Sequence, residues 1–178
     1  GILLGQNGEN KSGFSSDTSE LEIIDLGCGD GTLTVEMAKF ATRVIGVDFN
    51  PDMLASARQR IDRLGLQNVK LLAEDVGNLS LPAESLDVVF FSQSLHHLDN
   101  PQRGFQEAAR ILRPGGKVLV MELATHSEEW VLEKLGHKWL GFEKETLHDF
   151  MQTAGFSNLY SQILPFRREE LFQIILAA

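Results

Sequence analysis

The chain has a single cysteine, Cys28, among its 178 residues, so it can close no internal disulfide, and a reducing cytoplasm is the expected setting. No apolar run approaches the roughly 20 residues that a membrane-crossing helix needs. The opening GILLGQNGENKSG has neither a basic leader nor a long apolar segment, so no secretion signal or membrane partner is expected. A basic cluster is also lacking. With 16 basic against 25 acidic residues the formal charge is −9. The stretch FRREE (166–170) is too short and too balanced to displace the counterions of a nucleic acid. No metal site is expected. These absences lead away from nucleic acids and membranes and toward a small-molecule partner.

What is present is an ordinary globular composition, 43% hydrophobic and 23% charged. The length suits one domain able to bury roughly 70% of its unfolded surface. Residues 1–19, rich in Gly, Ser and Asn, read as a flexible lead-in to a domain over 20–178. Two hydrophobic periods then alternate. LEIIDLG (21–27), RVIGVD (43–48), NVKLLAED (68–75), LDVVFFSQ (86–93) and KVLVMEL (117–123) read as strands. Between them Leu33, Met37, Phe40 and Ala41, then Leu54, Ala57, Ile61 and Leu64, then Phe105, Ala108, Ala109 and Leu112 recur at helical spacing. Asn50 and Pro51 supply a cap and a first turn, and Gly65 a stop. RPGG (113–116) is expected to turn the chain into the fifth strand. Helical stretches follow around 128–136 and over Leu147, Phe150, Met151 and Ala154.

Strand–helix alternation repeated five times predicts a parallel sheet covered on both faces. SNLYSQIL (157–164) and LFQIILA (171–177) have only PFRRE between them, too little for a parallel crossover, so they are expected to pair antiparallel. The predicted fold is thus α/β: a Rossmann-like, doubly wound, mostly parallel seven-stranded sheet closed by an antiparallel C-terminal β-hairpin.

IIDLGCGDG (23–31) places three glycines within five positions directly after the first strand. In such a sheet a ligand sits beyond the carboxyl ends of the strands, where the strand order reverses. The dinucleotide fingerprint G-x-G-x-x-G would need a glycine at position 32, which is Thr32; the third glycine falls one residue early, at Gly31. Asp48, ending the second strand, can accept both hydroxyls of a ribose at about 1.5–3 kcal/mol per charged hydrogen bond. Phe49 could lie against the ribose or adenine, and Asp75, ending the third strand, could accept an adenine amino group. Those features suit a nicotinamide dinucleotide or any other adenosine ligand.

Asp25 with Gly27-Cys28-Gly29-Asp30-Gly31, VIGVDFNPDML, AEDV, SLDVVFFSQSLHHLDNP and ARILRPGGKVLVMEL resemble the class I S-adenosylmethionine-dependent methyltransferases. The resemblance is to the branch that includes the quinone-biosynthetic enzymes and spans residues 21–123. It implies that Gly27, Gly29 and Gly31 pass the methionine part of the cofactor and that Asp25 orients the loop and the amino group. Asp48 would take the ribose hydroxyls, Asp75 with Val76 the adenine, and Ser92 would lie beside the methionine portion. Cys28, inside the cofactor loop, is expected to pack rather than react. The implied cofactor, S-adenosylmethionine, has no phosphate, and the loop holds no lysine to grip one.

An acceptor that is already a nucleophile, such as a thiolate, amine or enolate, needs no base, whereas a phenol or hydroxyl would gain about 10²–10⁴ in rate from one. His96 and His97, just past the fourth strand, are the base candidates, one of them expected to point inward. Glu122, ending the fifth strand, is a further base candidate and is also expected at the substrate rim. THSEEWVLEKLGHKWLGF (125–142), holding Trp130 and Trp139 together with His126, His137 and Phe142, is the expected substrate rim. Residues 125–156 also resemble methyltransferase domains fused behind winged-helix repressors of the arsenic-responsive type. Relatives place helices before the glycine strand, so the short lead-in implies a site left open, or covered by a partner or another segment. The oligomeric state stays open. A non-catalytic module binding S-adenosylmethionine or its demethylated product is the alternative function, and a nicotinamide-dependent oxidoreductase a more distant one.

Overall fold

The computed structural model describes residues 20–164 and 174–178. The expected flexible lead-in (1–19), the link holding FRREE and the first three residues of LFQIILA lie outside the described residues. The elements are β1 (Glu22–Leu26), α1 (Thr32–Met37), β2 (Arg43–Asp48), α2 (Pro51–Leu64), β3 (Val69–Ala73), β4 (Leu86–Ser92), α3 (Pro101–Ile111), β5 (Leu112–Leu123), α4 (Trp130–Lys134), α5 (Lys144–Thr153), β6 (Ser161–Ile163) and β7 (Ile174–Ala177). A single 3-10 turn, Leu95–His97, follows β4.

The strands form one sheet in the order β3-β2-β1-β4-β5-β7-β6. The first five are parallel, with Ile24 opposite both Ile45 and Val89. β7 runs antiparallel to β5, and β6 antiparallel to β7. From β1 the chain moves outward to β2 and β3 on one side, then returns to β4 on the other. That reversal opens a crevice beyond the carboxyl ends of β1 and β4.

Strand residues alternate between faces, so each strand feeds two cores. Ile24, Leu26, Ile45, Val47, Val89 and Phe91 pack with Phe105, Ala108, Leu147 and Met151 of α3 and α5. Ile23, Val44 and Val88 face the other way and pack with Ala38. Arg113 ties the starts of three strands together, binding Glu22 at 2.6 Å and Asp87 at 2.7 Å.

Local signals read correctly include the α2 cap: Asn50 Oδ1 accepts the amides of Asp52 (2.9 Å) and Met53 (3.4 Å), and Gly65 ends the helix in the left-handed region. Some helix faces differ from expectation. α1 stops at Met37, and it buries Thr34, Val35 and the adjoining Ala38 rather than Phe40, which is 62% exposed. Leu64, in the last turn of α2, is likewise exposed. RPGG is no free turn: Leu112 already pairs with Leu86, and Lys117 pairs with Val88, so residues 113–116 bulge out within β5. Among the described residues no helix is long and apolar enough to cross a membrane.

Candidate functional site

The loop after β1 is held by backbone. The amides of Gly27 and Cys28 both donate to the Val47 carbonyl, at 2.8 and 2.9 Å, which lashes the loop to β2. Gly27, Gly29 and Gly31 have φ of 79°, 53° and 75°, the left-handed region that L side chains rarely adopt. A Cβ on Gly27 would stand 2.3 Å from the Cβ of Ser94, and one on Gly31 would stand 2.9 Å from the Cβ of Ala57. A Cβ on Gly29 would meet nothing within 4 Å, so this is where bare backbone faces open space.

Two carboxylates flank the loop. Asp48, ending β2, accepts the Gly29 amide on Oδ2 (2.9 Å) and the Asn50 amide on Oδ1 (2.8 Å). Asp25 in β1 is 1% exposed; its Oδ2 accepts the Thr34 hydroxyl at 2.6 Å, while Oδ1 is buried without a hydrogen-bond partner. Burial raises its carboxyl to about 6, against the smaller opposing effect of Thr34. Asp30 sits at the outer side, where Thr32 and then Arg60 hold its carboxyl below the usual range. Cys28 is buried, and burial pushes its thiol far above the ordinary range, as befits a packing residue.

The remaining expected positions are spread along the same edge. Phe49 is 74% exposed beside Asp48. Asp75 lies past the end of β3 rather than on it: its Oδ1 accepts the Gly77 amide at 2.8 Å in a tight turn, with Val76 buried next to it. Ser92 ends β4, half-buried. Ser94, which the sequence did not single out, donates to the Leu26 carbonyl at 2.6 Å and thereby closes the β4 loop against Gly27.

The two histidines divide as expected, His96 buried and His97 exposed. Nδ1 of His96 lies 2.5 Å from Oε1 of Glu122. Glu122 is fully buried and also accepts the amides of Leu95 (2.9 Å) and Leu123 (2.7 Å). Its oxygens are therefore committed, and its place is behind His96 rather than on a substrate rim. Trp139 likewise turns inward: it stacks on Phe142 at 5.4 Å and donates to the Leu98 carbonyl at 2.9 Å. Trp130 stays partly exposed on α4, bonded to Glu128. His137, named in the sequence only as part of the rim, comes to rest against His96 and His97, with ring centroids 4.2 and 4.9 Å away. No local spacing could reveal this, since some forty residues separate it from the pair.

Chemically, the crevice edge offers an open backbone surface at Gly29 and a carboxylate at Asp48, and Asp25, buried behind the loop, keeps one carboxyl oxygen unpaired among the described residues. Residues 25–35 include no Lys or Arg. This donor set fits a ligand with hydroxyls and positive charge but no phosphate; the orphaned Asp25 oxygen in particular is suited to an ammonium.

The fold and loop define a methyltransferase-type domain. Residues 24–120, more than half the chain, match the methyltransferase domain family, and the chain belongs to that family. It is 37% identical over 105 residues to an uncharacterized methyltransferase of Schizosaccharomyces pombe, covering 56% of this chain and 39% of that protein. It is 32% identical over 103 residues to a demethylmenaquinone methyltransferase of Clavibacter sepedonicus, covering 58% and 41%. The chain thus spans about two fifths of the length of these curated relatives. In fold it is similar to phosphoethanolamine N-methyltransferase 2 of Haemonchus contortus, solved with S-adenosylhomocysteine. The TM-score is 0.73 at 24% identity, over 82% of this chain and 35% of that one.

Proposed function

We propose that this domain transfers a methyl group from S-adenosylmethionine to a small-molecule acceptor. The observation that carries the reading is the pair of carboxylates around the bare loop, with Asp48 gripping the Gly29 amide and Asp25 keeping one buried oxygen unpaired. Membership in the methyltransferase domain family supports it, as does a relative named a demethylmenaquinone methyltransferase. Asp48 would receive the ribose hydroxyls, Asp25 the amino group, and Gly27–Gly31 would pass the methionine chain. Val76 would pack near the adenine, with Asp75 and Phe49 at the outer edge.

When bound, the cofactor supplies an electrophilic methyl on a sulfonium. The chain's task is to hold the acceptor in line with it, and orientation of this kind can supply roughly 7–11 kcal/mol. For a phenol or hydroxyl acceptor, His97 is the available base. Partial desolvation by the surrounding rings first, and then the neighbouring His96, lowers its imidazole below the ordinary range, so it can accept a proton at pH 7. His96, fixed by Glu122, would hold that pair in place. The exposure of Phe49 beside Asp48 favours a cover from a partner or further segment. The lone buried cysteine fits a reducing cytoplasm.

The test is incubation with methyl-labelled S-adenosylmethionine and a panel of quinols, phenols, thiols and amines. Labelled product with an equal yield of S-adenosylhomocysteine is expected. Tight cofactor binding with no transfer to any acceptor would favour the non-catalytic binding module instead.

A further inference from the structure

Three imidazoles meet just past β4. His96 and His97 come from the 3-10 turn, and His137 from the segment after α4. One ring nitrogen from each lies within 4.8 Å of the others. The arrangement is fixed by backbone, since the amides of Lys138 and Trp139 donate to the His96 carbonyl at 2.7 and 3.3 Å. Glu122 stands behind the group. Its carboxylate accepts two backbone amides, so it acts as acceptor toward His96 as well. Nδ1 of His96 then faces the carboxylate as donor, and Nε2 is the ring nitrogen left for a metal.

Simple ring packing leaves this cluster incompletely satisfied. His137 is buried, and its Nδ1 has no hydrogen-bond partner among the described residues, a state that costs about 1–3 kcal/mol. An imidazole binds a metal through the lone pair of one ring nitrogen. A carboxylate hydrogen-bonded to the far nitrogen of a ligating histidine is the usual second layer of such sites.

We propose that His96, His97 and His137 form a binding site for a divalent transition-metal ion of the zinc class, with a fourth position left open. Three nitrogen donors without a thiolate suit zinc or its neighbours in the first row, and not magnesium or calcium, which take oxygen. Zinc–nitrogen bonds of about 2.0–2.1 Å set tetrahedral ligand atoms about 3.3 Å apart, so the rings close in by up to about 1.5 Å on binding. His97, exposed at the surface, gives the ion its way in. Coordination takes the lone pair that a base would use, so on His97 the two roles alternate. The proposal does not rest on methyl transfer, and its test needs no cofactor.

The experiment is calorimetric titration of chelator-treated protein with zinc, repeated with cobalt and followed by visible absorption. One ion per chain is expected, with the absorption bands of tetrahedral cobalt. His97→Ala and His137→Ala should each weaken binding at least tenfold, and Glu122→Gln by about 10–100-fold. His148→Ala, on α5, should leave the affinity unchanged. Because His97 is exposed, its variant carries the test even if His137→Ala unfolds. Absence of binding, or binding indifferent to His97→Ala, would overturn the proposal.

Discussion

The Cβ of Ser94 occupies the space that a side chain on Gly27 would need, 2.3 Å from where its Cβ would be. Gly27→Ala therefore combines a steric clash with a left-handed φ of 79°, and together these should cost about 2–4 kcal/mol. Gly29→Ala has open space around it and faces only the strain of φ 53°, about 1–2 kcal/mol. Urea denaturation of the two variants checks this; equal losses would contradict the close approach of the β4 loop.

Asp25 makes stability depend on pH in a defined direction. Its carboxyl is raised from 3.8 to about 6, so between those values the folded chain holds a proton that the unfolded chain has released. Its stabilising contribution is complete below about pH 4 and is lost as pH rises through 6, on the order of 3 kcal/mol. Asp25→Asn should remove that component from the pH dependence of the unfolding free energy.

The same carboxyl predicts how a cationic ligand responds to acid. S-Adenosylmethionine should bind more weakly below pH 6, by up to tenfold per pH unit, as Asp25 takes up its proton. Calorimetry between pH 5 and 8 reads this directly, and in Asp25→Asn the slope should disappear.

The two tryptophans should separate. Trp139, stacked on Phe142 and bonded to Leu98, should cost about 3 kcal/mol or more when replaced by alanine. Trp130, partly exposed and bonded only to Glu128, should change stability by no more than about 0.5 kcal/mol. Thermal unfolding of both variants decides it.

Much of the candidate site is written in contiguous residues, because its parts obey local rules. A glycine loop after a β-branched run, Asp48 at a strand end and Asn50-Pro51 opening a helix each follow from the backbone chemistry of a few neighbours. Contacts across long separations were not legible. Ser94 against Gly27 and His137 against His96 depend on how β4 and the segment after α4 come together in space. Glu122 and Trp139 were misplaced for a related reason. A polar residue at a strand end, or an aromatic one in the segment beyond it, reads as rim until the fold shows that its hydrogen bonds are already made inside. Phe40 misled in the opposite sense, since helical spacing continued past the point where α1 stops.

The most direct measurement is calorimetric titration of the chain and of Asp48→Ala with S-adenosylmethionine and, separately, with NAD. Binding of S-adenosylmethionine, weakened at least tenfold (about 1.4 kcal/mol) in Asp48→Ala, and no binding of NAD are expected. NAD binding without S-adenosylmethionine binding, or an Asp48→Ala variant that binds as tightly as the parent, would contradict the carboxylate-flanked loop as the seat of a phosphate-free adenosine ligand.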